Sequence, residues 1–321
     1  METLLPVNEV DEYTHEPSKE SHYNESMYFN FFDHKKRCGG FVRIGNRPNE
    51  GYAEVTLLYY LPEQGILFFF QRPQIGDNRV FNTANMRFTV VDPFKYLSVS
   101  YHGQAFHLTD PYGLEDPKKA LSQARMVTVA LDLSVEGLSP IFGGVSPKDT
   151  MGSDEVEFAR AHYEQQTRTL GSFEVDGKRI EIDALGLRDH SWGPRHWQAP
   201  KSYRWLTAQF HPGLAMMVTH FVSPSGKITR SGFLYRDGKN VLIKDVTIHT
   251  DYQDNGTYHR KIHTDFVTEN DERLSLEGEV IQLVPLRNRR HGQVTRICEG
   301  FTRYSLQGET GYGISEYLDQ E

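Results

Sequence analysis

The stretch LRDHSWGPRHW, residues 187 to 197, places two arginines, two histidines, an aspartate, a serine and two tryptophans in eleven positions. Asp189 and His190 are the residue types that deliver a proton, as carboxylic acid or imidazolium, to an alkene or a leaving hydroxyl. Trp192, Trp197, Tyr203 and Trp205 offer aromatic faces that steady a carbocation once water is excluded. Arg195 or His196 would orient a hydroxyl or carboxylate, and Arg188 lies beside the acid. Burial would raise the aspartate pKa, as an acid working near neutrality requires. This set suits hydration, dehydration or cyclisation. The structural alternative is an Arg188–Asp189 ion pair closing a barrel whose mouth the tryptophans fill.

Strand alternation decides which of these groups share a face. Ile180, Ile182, Ala184, Gly186, Arg188, His190 and Trp192 fall on one side, and Leu185, Leu187, Asp189 and Ser191 on the other. With Ile180 and Ile182 inward, His190 is the lumen residue and Asp189 its partner behind the strand. A bulge at Gly186 would reverse that assignment.

Other chemistry is less well supported. His249/Asp251 and His263/Asp265 are i, i+2 pairs that share strand faces, but they lack the spacing of a closed metal site, so no metal is expected. His102 and His107 read as turn residues of a SYHGQAFH hairpin. Ser191 follows His190 without a GxSxG elbow, which argues against a serine hydrolase. No dinucleotide-binding alternation of strands and helices is present, and no cofactor is expected.

The elements that must carry the stretch read as strands. From Met27, MYFNFFD, GGFVRIG, YAEVTLLYYL, GILFFFQR, MRFTVVD, YLSVSYHG and QAFHLTD are short and rich in aromatic and β-branched residues. After Thr167 the same texture returns, with Asp-Gly hairpin turns in VDGKR and RDGKN. Residues 1–26 form a polar arm, 27–150 a first β domain and 151–321 a second. The Gly/Pro-rich segment near 137–153 is the expected linker, and DEVEFARAHYEQ (154–165) the expected helix, with Asp154 and Glu157 in its first turn. Two antiparallel meanders of this size form barrels or sandwiches, and eight-stranded barrels hold one small ligand.

Composition narrows the partners. Hydrophobic residues make up 38% and charged residues 24%, with a formal net charge of -8, so a phosphate backbone would be repelled and nucleic acid is not an expected partner. The basic run Arg287 to His291 reads as a solvated hairpin tip. No window approaches the ~20 apolar residues of a membrane-spanning helix. Cys38 and Cys298 lie far apart, as in a reducing cytoplasm.

The segments YFNFFD, GGFVRIGNRPNEGYAE, GLRDHSWGPRHWQAP, YRWLTAQF and EGFTRYSLQGETGYGISEYL resemble bacterial proteins related to hydroxyneurosporene synthase, a carotenoid 1,2-hydratase. The resemblance spans nearly the whole chain. Its wider group includes carotenoid hydratases, tocopherol cyclases and some Diels-Alderases, and looks like tandem lipocalin-type barrels. The resemblance implies an all-β, calycin-type pair of antiparallel barrels with one short helix between them, acting without cofactor on bulky apolar, often isoprenoid, molecules. Asp189 and His190 match the hydratases' Asp-His pair loosely. The expected activity is a lyase or isomerase, and the competing function is a non-catalytic carrier of a hydrophobic small molecule.

Overall fold

The computed structural model describes residues 4–146, 160–290 and 292–321. In the first half, strands β1 (Tyr23–Asp33), β2 (Cys38–Arg47), β3 (Tyr52–Leu61), β4 (Gly65–Gln71), β5 (Asn82–Thr83), β6 (Met86–Asp92) and β7 (Tyr96–Leu108) lead to a short helix, α1 (Pro117–Gln123). Strands β8 (Arg125–Gly137), β9 (Phe142–Val145), β10 (Ala161–Val175) and β11 (Lys178–Pro194) complete one 11-stranded antiparallel sheet, ordered β4-β3-β2-β1-β11-β10-β8-β7-β6-β5 with β9 on β10. Pairing of β4 with β7 returns the path to its start and closes a barrel. Strands β12 (Ser202–His211), β13 (Leu214–Val222), β14 (Ile228–Arg236), β15 (Lys239–Tyr252), β16 (His259–Thr268), β17 (Arg273–Arg290), β18 (Gln293–Leu306) and β19 (Glu309–Gln320) form a second closed barrel in sequence order. The fold is therefore all-β, two tandem antiparallel lipocalin-like barrels.

Three of the four apolar clusters among the described residues explain the sequence texture. One fills the first barrel with residues such as Phe29, Tyr59, Leu131 and Phe173, and another fills the second with Leu206, Met216, Phe266 and Tyr304. The third lies between the barrels and takes Tyr28, Phe41, Leu58, Tyr60, Phe68, Leu187, Trp205, Met217 and Phe301 from their outer faces. Strands β1 to β3 are thus covered on both faces, which is why MYFNFFD and YAEVTLLYYL run apolar without alternating. Strand β8, covered on one face only, alternates cleanly through Val127, Val129, Leu131, Leu133 and Val135.

Several expectations need correction. Strands β10 and β11 hydrogen-bond to β8 and β1, so the second barrel starts at Ser202, and a division at residue 150 cuts the first sheet. Of the segment expected as a helix, residues 154–159 lie outside the described residues, and Ala161 to Gln165 are strand. Their backbones pair with β11 and β9, and tertiary pairing outweighs the helical spacing. The observed helix, α1, precedes β8 and begins at Pro117 under the Asp116 side-chain cap. No hairpin interrupts SYHGQAFH, because β7 pairs with β8 continuously from Tyr96 to His107. The register of β11 against β10 and β1 runs through Gly186 without a bulge. Gly186 is required by close approach instead, since a Cβ there would lie 1.8 Å from the Asn30 carbonyl oxygen.

The arm is folded onto the first barrel. Leu5 bridges Val145, and the Glu12 side chain is fully buried. Cys38 and Cys298 are buried free thiols. No helix is long and apolar enough to cross a membrane.

Candidate active site

Strand register lays one polar row across each barrel. On the outer face of the first, Glu164, Asp189, Tyr28, Arg43 and Thr56 are successive cross-strand partners. On the facing side of the second, Thr219, Trp205, Glu316, Glu299 and Val284 are likewise successive partners. A cavity of about 2100 Å³ opens between the barrels, with Asp189, Arg43, Tyr28, Trp205, Glu299 and Glu316 on its wall. Trp205 Nε1 donates across the boundary to Glu164 Oε1 at 2.9 Å, and the Tyr203 hydroxyl donates to Glu316. The Tyr60 hydroxyl donates to the Glu299 carbonyl at 3.0 Å.

Burial sets the protonation of this wall. It pushes Glu316 up to about 8, reinforced by the charge of Asp189 and opposed by Arg43 and Arg195. Glu299 rises to about 8 through burial alone. Glu164 rises to about 7, again chiefly by burial; His162 and the Trp205 hydrogen bond oppose the shift and Asp189 adds to it. The His162 ring stands 3.7 Å from both Glu164 and Asp189. Burial disfavours its imidazolium, but the two carboxylates prevail and raise its pKa. Burial, with the charge of Asp189 added, thus favours the protonated forms of Glu316 and Glu164.

The opposite face of β11 holds a different structure. Arg188 makes a bidentate pair with Glu12 at 2.6 and 2.8 Å and bonds Gln165 through Nε at 2.8 Å. Tyr163 donates to Glu12 at 2.8 Å, and its oxygen lies 3.1 Å from His190 Nδ1. His190 Nε2 is 3.0 Å from Glu25, which also takes His15 Nδ1 at 2.7 Å. Burial would raise the Glu25 carboxyl, yet the His15 and His190 contacts outweigh it and hold it at about 2. Trp192 stacks on His15 with ring centres 4.0 Å apart. His15, Glu25 and His190 bring donor atoms within 4.8 Å of one another, the one such group of three among the described residues.

Alternation therefore placed the side chains correctly and the pocket wrongly. His190 faces the first barrel, but that interior is filled with core side chains, and His190 is fully buried at its end. Asp189 reaches the cavity without any register shift. Arg188 and Trp192 belong to the arm's anchorage, and His196 packs edge-on against His22 at 4.6 Å. Arg195, Trp197, Tyr203 and Trp205 do line the cavity. Arg188 pairs with Glu12, not with Asp189. His263 sits between Glu277 and Asp265 on the exposed outer face of the second barrel, beside His249. His102 pairs with exposed Asp132, and His107 bonds the Gln64 carbonyl.

Glu164, His162, Glu299, Glu316, Tyr28 and Arg43 were not singled out from the sequence. The available signal was a carboxylate in phase with apolar neighbours, as in ISEYL around Glu316, where a solvated strand face would not need Ile314 and Leu318 two residues to either side.

The profile of a family described as a domain of unknown function (DUF7064) matches residues 8–321. No curated protein sequence matches the chain. Among solved structures, kievitone hydratase from Nectria haematococca is similar at 13% identity with a TM-score of 0.59, covering 98% of this chain and 93% of that one. CghA is similar at 15% identity and a TM-score of 0.57, covering 94% of this chain and 88% of its own. CghA with Sch210972 is similar at 16%, also with a TM-score of 0.57, over 94% and 89%. At these identities the likeness shows the fold.

Proposed function

The chain belongs to the DUF7064 family, and from that premise we propose that it is a cofactor-independent lyase or isomerase: a hydratase, dehydratase or cyclase acting on an apolar, isoprenoid-derived molecule in the cavity between its barrels. The observation that carries this reading is Asp189 facing Glu316 across that cavity, where the charge of Asp189 helps keep Glu316 protonated. In the hydration direction Glu316 gives its proton to one alkene carbon, and the resulting cation is steadied by Tyr28, Trp205 and Trp197. Water adds to the cation, and Asp189, paired with His162, takes the proton that water loses. Dehydration is the reverse, with protonated Asp189 giving its proton to the departing hydroxyl and the Glu316 carboxylate removing the adjacent C–H proton. Kievitone hydratase, whose fold this chain shares, bears the name of a hydration reaction and so supports the class. The buried free thiols of Cys38 and Cys298 support a reducing compartment, the cytoplasm.

The test is incubation of the purified protein with a panel of isoprenoid alcohols and polyenes, followed by mass spectrometry. Gain or loss of one water, or an isomer of equal mass, is expected for at least one member, and Asp189→Asn should abolish it while leaving binding intact. Binding of panel members without conversion by the wild type would indicate a carrier.

A further inference from the structure

The cavity wall is cationic on a chain whose net charge is not. Among the described residues that line it, Lys and Arg number ten and Asp and Glu six, although the chain carries a formal charge of -8. Two of these cations are set against one aromatic ring. The Arg43 guanidinium lies 5.7 Å, and that of Arg195 5.6 Å, from the centre of the Trp197 indole.

Both arginines are placed by the fold. Arg43 projects from β2 over Gly45, where a Cβ would stand 2.5 Å from its Nη2, so the glycine makes room for the guanidinium. Its carboxylate neighbour, Glu54, is 3.7 Å away and already takes Arg72 at 2.9 Å and Arg47 at 3.6 Å. Arg195 follows the strand end at Pro194, with Nη2 donating to Ser191 at 2.7 Å and its backbone N–H to the His22 carbonyl at 2.9 Å. Burial, then the charge of Arg43, depresses its pKa to about 9, with Asp189 opposing. Two guanidiniums set against one aromatic ring are stabilised by an anion that accepts from both, and a planar carboxylate matches their geometry.

We propose that Arg43 and Arg195, both set against Trp197, form an anion subsite, and that the substrate is an apolar molecule bearing a carboxylate. The carboxylate fixes one end, and the apolar body runs along Tyr28, Phe41, Phe68 and Trp205 toward Glu316. The cationic wall also draws such a ligand in from solution. This inference rests on the cavity being the substrate chamber.

All-trans-retinoic acid and all-trans-retinol, which share one isoprenoid skeleton and differ in headgroup, serve as probes, with binding read from tryptophan fluorescence quenching. The wild type should bind retinoate at least ~10-fold more tightly than retinol, as expected for a charge-assisted pair. Arg43→Gln and Arg195→Gln, checked by circular dichroism, should each erase most of that preference while changing the retinol Kd less than ~3-fold; Arg43→Lys should retain part of it. Should Arg43→Gln fail to fold, the wild-type comparison and Arg195→Gln still decide. Retinol binding as tightly as retinoate, or a preference that survives both Gln variants, overturns the anion subsite and leaves the chamber standing. Binding of neither probe overturns the chamber itself and this inference with it.

Discussion

Trp205 Nε1 and Glu164 Oε1 meet at 2.9 Å across the boundary between the barrels, so the indole that lines the cavity is also a hydrogen-bonded tie between its two walls. Trp205→Phe keeps an aromatic surface and removes the donor, leaving Glu164 buried. The loss should be about 1 to 3 kcal/mol, the desolvation penalty of an unsatisfied buried group, seen as a lower urea midpoint with an unchanged m-value. An unchanged midpoint would mean that the tie is not formed in solution.

Asp189→Asn and Glu316→Gln remove the proposed base and acid without changing shape. Each should lower turnover on the converted substrate at least ~100-fold, while the Kd for ligand stays within about 3-fold. Thermal midpoints should hold or rise, because active-site polar groups contribute little to stability or oppose it. A variant that retains turnover would remove its residue from the mechanism.

His190 behaves differently. It sits behind the strand, tied to Glu25 at 3.0 Å, and no part of it lines the cavity. His190→Gln should lower the melting point, while the folded fraction turns over within about 3-fold of wild type. Glu12→Gln, which leaves the Arg188 guanidinium buried without its carboxylate, should cost about 3 to 5 kcal/mol. A large fall in turnover at unchanged stability for His190→Gln would return that residue to the chemistry.

The pH dependence follows from three raised carboxyl groups and one lowered one. Glu299 and Glu316, near 8, and Glu164, near 7, lie above the ordinary value of 4.5, so between pH 4.5 and 8 the folded state holds more protons than the unfolded. Stability therefore falls as pH rises through that window. Glu25, at about 2, acts in reverse: its contribution is present above 4.5 and is lost as pH falls toward 2. Thermal midpoints should peak at about pH 4 to 4.5 and decline through pH 8, and Glu299→Gln should flatten the alkaline limb. Turnover requiring protonated Glu316 should decline through pH 8. A midpoint constant from pH 5 to 9 would contradict the assignment.

The strands were legible because hydrophobic texture follows burial. Alternation also sorted β11 correctly, with Asp189 on one face and His190 on the other. It could not say which face meets a cavity, because an inward-facing row is equally consistent with a filled interior, and here Phe29, Tyr59 and Phe173 fill it. The pocket arises where two outer faces meet, a relation between β1–β3 and β12–β19 that no local pattern encodes.

The remaining site residues were hidden for related reasons. Glu164 lay in a segment whose spacing imitates a helix, and only pairing with Asp189 reveals its strand register. Glu316 and Glu299 become neighbours through β18–β19 pairing, and Arg43 reaches Asp189's row through β1 and β2. The arm's Glu12 and His15 find their partners more than 150 residues away in Arg188 and Trp192.

Native mass spectrometry with one equivalent of retinol, on the wild type, Thr219→Trp and His190→Gln, tests most directly whether the inter-barrel cavity is the functional chamber. Thr219 lines that cavity beside Trp205, and an indole there would take up part of it, whereas His190 lies on the far side of β11. The wild type and His190→Gln should each carry one retinol, and Thr219→Trp should carry measurably less. Occupancy unchanged in Thr219→Trp, or lowered only in His190→Gln, would contradict the inter-barrel site.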